Sequence, residues 1–258
     1  MNRLKQLFET KTKDILNVYF TAGFPQLHDT KTIIKELSNA GADLIELGMP
    51  YSDPLADGET IQYSSSVALK NGMQLDLLFE QIIDARKESE IPIMMMGYYN
   101  QIIQYGQEKF LDYCKNAGVD GLIIPDIPLD YYETQMEKDM TEKDLLMTFL
   151  VTPETSEERI KQADSLSTAF LYIVSKSSIT GGTQEVSTDQ EAYFKRLSSL
   201  NLKAPRLIGF GIHNGETFAK AAKNANGAII GSAFIRMLDK EGIGGIGKFV
   251  SEIRSPQS

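Results

Sequence analysis

The sequence predicts an α/β fold: a single (β/α)8 TIM barrel with a short extra N-terminal helix, spanning residues 1–258 as one catalytic domain. Three observations carry this. Eight short, continuously apolar runs are spread along the chain, longer amphipathic stretches separate them, and the total length is close to the roughly 250 residues such a barrel needs. Continuous apolar runs suit strands buried on both faces, and strict βα alternation implies a parallel sheet that eight units can close.

The runs are ILNVYF (15–20), DLIEL (43–47), IPIMMM (91–96), DGLII (120–124), LLMTFL (145–150), AFLYIV (169–174), RLIGF (206–210) and GAII (227–230). Between them, TKTIIKELSNA and LDLLFEQIIDARK place apolar residues three and four apart, the helical period. A partial repeat supports the same reading. NAGADLIELGMP from Asn39 and NAGVDGLIIPDIP from Asn116 lie about two βα units apart, and NANGAIIGS from Asn224 is a looser echo. Each offers a Gly or Asn suited to a left-handed helix stop before a strand. An open, doubly wound sheet is the alternative fold.

Composition narrows the function classes. The net charge of −9 disfavours nucleic acid and anionic membrane as partners, since both repel an acidic surface. The single cysteine, Cys114, excludes an intrachain disulfide, and it is read as packing in the helical stretch EKFLDYCKNAG. The first ten residues lack a signal peptide's apolar run, and no stretch approaches the ~18 apolar residues of a membrane span. A soluble, cytoplasmic enzyme is expected. With only His28 and His213, a multi-histidine zinc site is impossible, and both are assigned to the surface or to supporting roles. No metal is expected. GIGGIGKF (242–249) lacks the Ser or Thr and the preceding strand of a P-loop, and GFGIHNG has one residue too many for the dinucleotide fingerprint.

Functional groups of such barrels sit beyond the C-terminal ends of the strands. The second strand runs into ELGMPYSDPLADG, where Glu46 interrupts apolar residues and Asp57 closes a loop stiffened by prolines. A buried carboxylate must be paired, protonated or useful. Taken singly, Glu46 reads equally as a salt-bridged strand residue and Asp57 as a helix N-cap; two carboxylates at one barrel mouth favour chemistry. Glycine-containing segments follow the last three strands: SSITGGT (177–183), GFGIHNG (209–215) and GSAF (231–234). A helix beginning at Gly231–Ser232 would turn its positive end to a phosphate, and phosphate sites after strands seven and eight recur in this architecture. The polar, glycine-bearing stretch from Ser175 to Ser187 suits a mobile lid.

The segment IELGMPYSDPLADG resembles the signature of tryptophan synthase α subunits. YFTAGFP (19–25), GYYNQI (97–102), GLIIPDIP (121–128), YIVSKSSITGG (172–182), GFGI (209–212) and GSAF extend the resemblance, in the family's order, over the chain. The resemblance implies a lyase that cleaves indole-3-glycerol phosphate to indole and glyceraldehyde 3-phosphate in L-tryptophan biosynthesis. It implies no cofactor in this chain, and a β subunit bearing pyridoxal phosphate as partner, in a heterotetramer of two α and two β chains. It assigns catalysis to Glu46 and Asp57, phosphate binding to Gly181, Gly211, Gly231 and Ser232, and substrate-side or lid positions to Tyr172 and Thr180. Departures are Val18–Tyr19 for the usual Pro-Phe, Gln101 for a common Pro and Ser178 for a Gly. The first two are expected to reshape the indole pocket and the third to stiffen the lid; none removes a catalytic group. A phosphate-sugar isomerase or epimerase, and a catalytically idle regulatory barrel, are the rival readings.

Overall fold

The computed structural model describes residues 1–54, 57–175, 188–209 and 211–255. Eight parallel strands close a barrel in sequence order: β1 (Ile15–Thr21), β2 (Leu44–Gly48), β3 (Ile93–Met96), β4 (Gly121–Ile123), β5 (Leu146–Val151), β6 (Leu171–Val174), β7 (Arg206–Gly209) and β8 (Gly227–Ile230), with β8 paired back to β1. All eight apolar runs therefore form strands, and closure excludes the open sheet. The helices named from the sequence occupy Asp29–Ala40 and Leu75–Arg86. The stops after Ala40 and Ala117 are left-handed, at Gly41 and Gly118. The third echo behaves differently: the helix Gly215–Ala222 ends at Lys223 in right-handed conformation, so the repeat holds at two of its three places.

Strand alternation divides the core into two layers. Outward residues such as Leu16, Val18, Phe20, Ile45 and Leu47 pack beneath the surrounding helices. Inward residues, among them Ile15, Leu44, Met94, Ile123, Leu146, Tyr172, Leu207 and Ile229, fill the barrel. The expected N-terminal helix is Arg3–Thr10, and its fully buried Leu4 joins this inner layer as a plug at the floor. Below the strands, the Asn2 amide donates to the carbonyls of Asp120 and Asp144, both at 2.8 Å. Arg86 pairs with the buried Asp120 carboxylate at 2.8 Å. The floor is thus closed by polar anchors and an apolar plug, and chemistry is left to the opposite, C-terminal end.

Candidate active site

Glu46 faces into the barrel from β2, one residue pair above Leu44, and is 1% exposed. The Asn17 amide of β1 donates to its Oε2 at 3.2 Å. No ion pair reaches Glu46 among the described residues, so the salt-bridge reading of this position does not apply. Burial pushes its carboxyl up to about 8; the Asn17 hydrogen bond works against that, and the nearby Asp57 charge adds to it.

Asp57 reaches the same space from the loop after β2. Its backbone N–H donates to the Pro54 carbonyl at 3.1 Å, and the helix Glu59–Lys70 begins at Gly58 without a side-chain cap. Asp57 is therefore not an N-cap. Its carboxylate accepts a hydrogen bond from the Tyr98 hydroxyl. Burial raises it to about 6, and the Tyr98 bond holds it from rising further. Tyr98 is itself fixed: its ring stacks on Tyr51 with centroids 5.1 Å apart, and its N–H donates to Gln101 Oε1 at 3.0 Å. Gln101 Nε2 then donates to the Pro50 carbonyl at 3.0 Å. The residue standing where proline is common thus ties the loop after β3 to the loop that carries Asp57.

Two tyrosines complete the mouth. Burial, then the charges of Asp57 and Glu46, push the Tyr19 hydroxyl well above its usual range, and Tyr172 is raised by burial and the same two carboxylates. Both rings occupy space left by absent side chains. A Cβ on Gly48 would lie 2.2 Å from the Tyr19 hydroxyl oxygen, and one on Gly209 would lie 2.2 Å from that of Tyr172. Of the Val18–Tyr19 departure only Tyr19 bears on the pocket; Val18 points outward into the helix-facing layer.

The glycine ends of β7 and β8 open onto this group. Gly231 sits over Tyr19, where an added Cβ would approach the Tyr19 Cβ to 3.3 Å. It opens the helix Ser232–Glu241, and among the described residues no side chain caps it, which leaves first-turn N–H groups open to an anion. Gly211, at φ 76°, turns the chain after β7. Thr180 and Gly181, with the rest of 176–187, lie outside the described residues. His28 and His213 are exposed, and Cys114 is buried in the helix Gln107–Ala117. No group of three or more His, Cys, Asp or Glu placed to hold a metal ion occurs among the described residues. Sequence reading missed Asn17 and Tyr98 as partners of the carboxylates. An asparagine inside an apolar run was the available signal for the first, and Tyr98 carried none beyond its place in GYYNQI.

A closed parallel barrel with two carboxyls raised unequally at its C-terminal mouth has the make-up of a small-molecule enzyme. The comparisons make that class particular. Residues 5–251 match the family described as tryptophan synthase alpha chain. The tryptophan synthase alpha chain of Flavobacterium psychrophilum is 51% identical over 253 residues, covering 98% of this chain and 100% of that one. That of Christiangramia forsetii is 49% identical over 255 residues, covering 99% of each. Among solved structures, aminoacrylate-bound tryptophan synthase from M. tuberculosis superposes with a TM-score of 0.86 at 27% identity, covering 98% of both chains. A tryptophan synthase complex from Pyrococcus furiosus gives 0.85 at 34% identity, covering 94% of this chain and 98% of that one. The chain belongs to the tryptophan synthase alpha chain family. Its activity is that of a carbon–carbon lyase of tryptophan biosynthesis, the cleavage of indole-3-glycerol phosphate to indole and glyceraldehyde 3-phosphate.

Proposed function

We propose that Glu46 is the proton carrier of this cleavage and Asp57 the fixed charge that stabilises its intermediate. The observation that carries the reading is that both carboxyls meet at one barrel mouth, where burial raises the pKa of Glu46 to about 8 and that of Asp57 to about 6. Near pH 7 this leaves Glu46 mainly as the acid and Asp57 mainly as the base, two carboxyls given opposite roles by their surroundings.

Breaking the bond between indole C3 and the glycerol chain requires C3 to become a leaving group. Glu46 donates its proton to C3, and the ring nitrogen becomes cationic. The Asp57 carboxylate accepts the indole N–H hydrogen bond and stabilises that charge in a site shielded from water. The Glu46 carboxylate then takes the proton of the hydroxyl on the carbon attached to C3. The C–C electron pair returns to the ring, indole leaves, the carbon becomes the aldehyde of glyceraldehyde 3-phosphate, and Glu46 is again an acid. The phosphate is assigned to Gly181, Gly211, Gly231 and Ser232, supported by the uncapped helix start beside Tyr19. Tyr172 borders the reacting group, and Thr180 is assigned to the loop that covers it. No step calls for a metal or for a cofactor in this chain.

The reading extends to assembly. Solved tryptophan synthases from M. tuberculosis and Pyrococcus furiosus are structural neighbours, the second a complex. We assign to this chain a β subunit as partner, in a heterotetramer of two α and two β chains, with pyridoxal phosphate in the β subunit. Residues 1–258 are taken as one catalytic unit. No described helix is long and apolar enough to cross a membrane, and the acidic surface supports a cytoplasmic place without nucleic acid or membrane partners. Closing the Ser175–Ser187 segment over substrate would cost ordering entropy of ~1–2 kcal/mol of backbone per fixed residue, which a partner surface favouring closure would offset.

The test is steady-state formation of indole and glyceraldehyde 3-phosphate from indole-3-glycerol phosphate, with and without saturating β subunit. The expected result is one aldehyde per indole and at least a ~10-fold faster rate in the complex, equivalent to ~1.4 kcal/mol. Absence of both products removes the catalytic assignment. An unchanged rate in a verified complex removes the coupling alone.

A further inference from the structure

We infer that Asn17 is a positioning residue for Glu46: its carboxamide holds one carboxyl oxygen from below, so that the other faces the substrate. The proposal rests on the assignment of Glu46 as proton carrier and concerns how that group is aimed.

Asn17 is fully buried on the inward face of β1, between Ile15 and Tyr19. Its register partners are Leu44 of β2 and Ile229 of β8, both part of the apolar filling of the barrel. Glu46 pairs instead with Tyr19, one step nearer the mouth. The asparagine thus sits between the apolar floor and the reacting carboxyl. An aliphatic side chain would match its floor neighbours, whereas a buried carboxamide is unfavourable unless its polar atoms are used. Its Nδ2 is used on Glu46 Oε2 at 3.2 Å, while Oδ1 has no partner. The bond engages one carboxyl oxygen of Glu46 and leaves Oε1 out of it.

This pattern suits a group that gains and loses a proton. A carboxamide carries a donor and an acceptor side by side. Nδ2–H faces the carboxylate form, and the idle Oδ1 can accept from the acid form after the amide turns. A valine or leucine could serve neither state. By engaging Oε2, the amide also directs proton transfer through Oε1. The other groups that face Glu46 are fixed in kind: the Asp57 carboxylate, and the Tyr19 and Tyr172 hydroxyls, both raised far beyond the neutral range. Asn17 is the member of this set that favours the ionised form of Glu46, since its donor bond lowers that group's pKa.

The test compares wild type with Asn17→Leu, and with Asn17→Ser, whose hydroxyl is too short to reach Oε2. Two readouts are taken: kcat against KM for indole formation across pH, and the titration of the Glu46 side-chain carboxyl by 13C NMR. Expected are a kcat at least ~10-fold lower with KM within about threefold, and a Glu46 titration and alkaline rate limb moved to higher pH by about half a unit or more. Thr148→Val is the control. It alters another inward, fully buried side chain whose hydroxyl has no partner, and it should leave the Glu46 titration in place. A Glu46 titration and kcat unchanged in both Asn17 variants overturn the proposal, as does an equal displacement in the Thr148 control. If Asn17→Leu does not fold, Asn17→Ser decides by the same criteria. The NMR titration separates the two claims: a shift without any wild-type cleavage keeps the Asn17–Glu46 coupling and removes the catalytic reading instead.

Discussion

At the scale of single residues, the site depends on moving two carboxyls unequally. Glu46 is fully enclosed and has one amide donor, whereas Asp57 is half-buried and has a hydroxyl donor, so burial lifts the first to about 8 and the second to about 6. In the proposed mechanism the working state has Glu46 protonated and Asp57 ionised. Activity should therefore rise as Asp57 loses its proton and fall as Glu46 loses its own. We predict a bell-shaped profile of kcat/KM, with limbs near about pH 6 and about pH 8 in the free enzyme. Asp57→Asn should remove the acid limb together with most of the rate. A profile flat from pH 5 to 9 in wild type, with chemistry limiting, would contradict the division of roles.

At the scale of elements, each strand serves two layers, and each end of the barrel serves one purpose. Glu46 was legible in the sequence because a charged residue in the run DLIEL breaks a rule that apolar strands keep. The left-handed stops at Gly41 and Gly118 were legible for the same reason, as a local residue choice with one conformational meaning. Contacts between elements were not. Asn17 and Glu46 are 29 residues apart in the chain and meet only because β1 and β2 are paired in this register. Tyr98 finds Asp57 only through the two loops that Gln101 joins. The third repeat lacked a left-handed stop because the helix there runs on to Lys223 in right-handed conformation. The opposite end of the barrel offers a clean test of this division. Leu4 plugs the floor from the helix Arg3–Thr10 and is fully buried. Leu4→Ala should cost about 2–5 kcal/mol by the ordinary penalty for a core truncation. Urea denaturation should show the loss, while kcat/KM under native conditions stays within about twofold. A large fall in kcat/KM without loss of stability would mean that floor and mouth are not separate.

At the scale of the whole molecule, the site is a local cost carried by the fold. The folded chain holds a proton on Glu46 that the unfolded chain, with its ordinary carboxyl near 4.5, releases. The stability this contributes is fully present below about pH 4.5 and is lost as pH rises through about 8, at roughly 1.4 kcal/mol per pH unit between them. Asp57, raised from 3.8 to about 6, acts in the same direction over a lower and narrower window. Glutamine is neutral at every pH, so Glu46→Gln should be more stable than wild type at pH 8–9 and close to it at pH 5. The same variant bears on the central claim, that Glu46 carries the proton in both directions. The decisive measurement is its turnover of indole-3-glycerol phosphate at saturation, with substrate affinity determined in parallel and chemistry shown to limit the rate. The account predicts a rate about 10²–10⁴-fold below wild type, with affinity within a few fold. A Glu46→Gln rate above one tenth of wild type would contradict it.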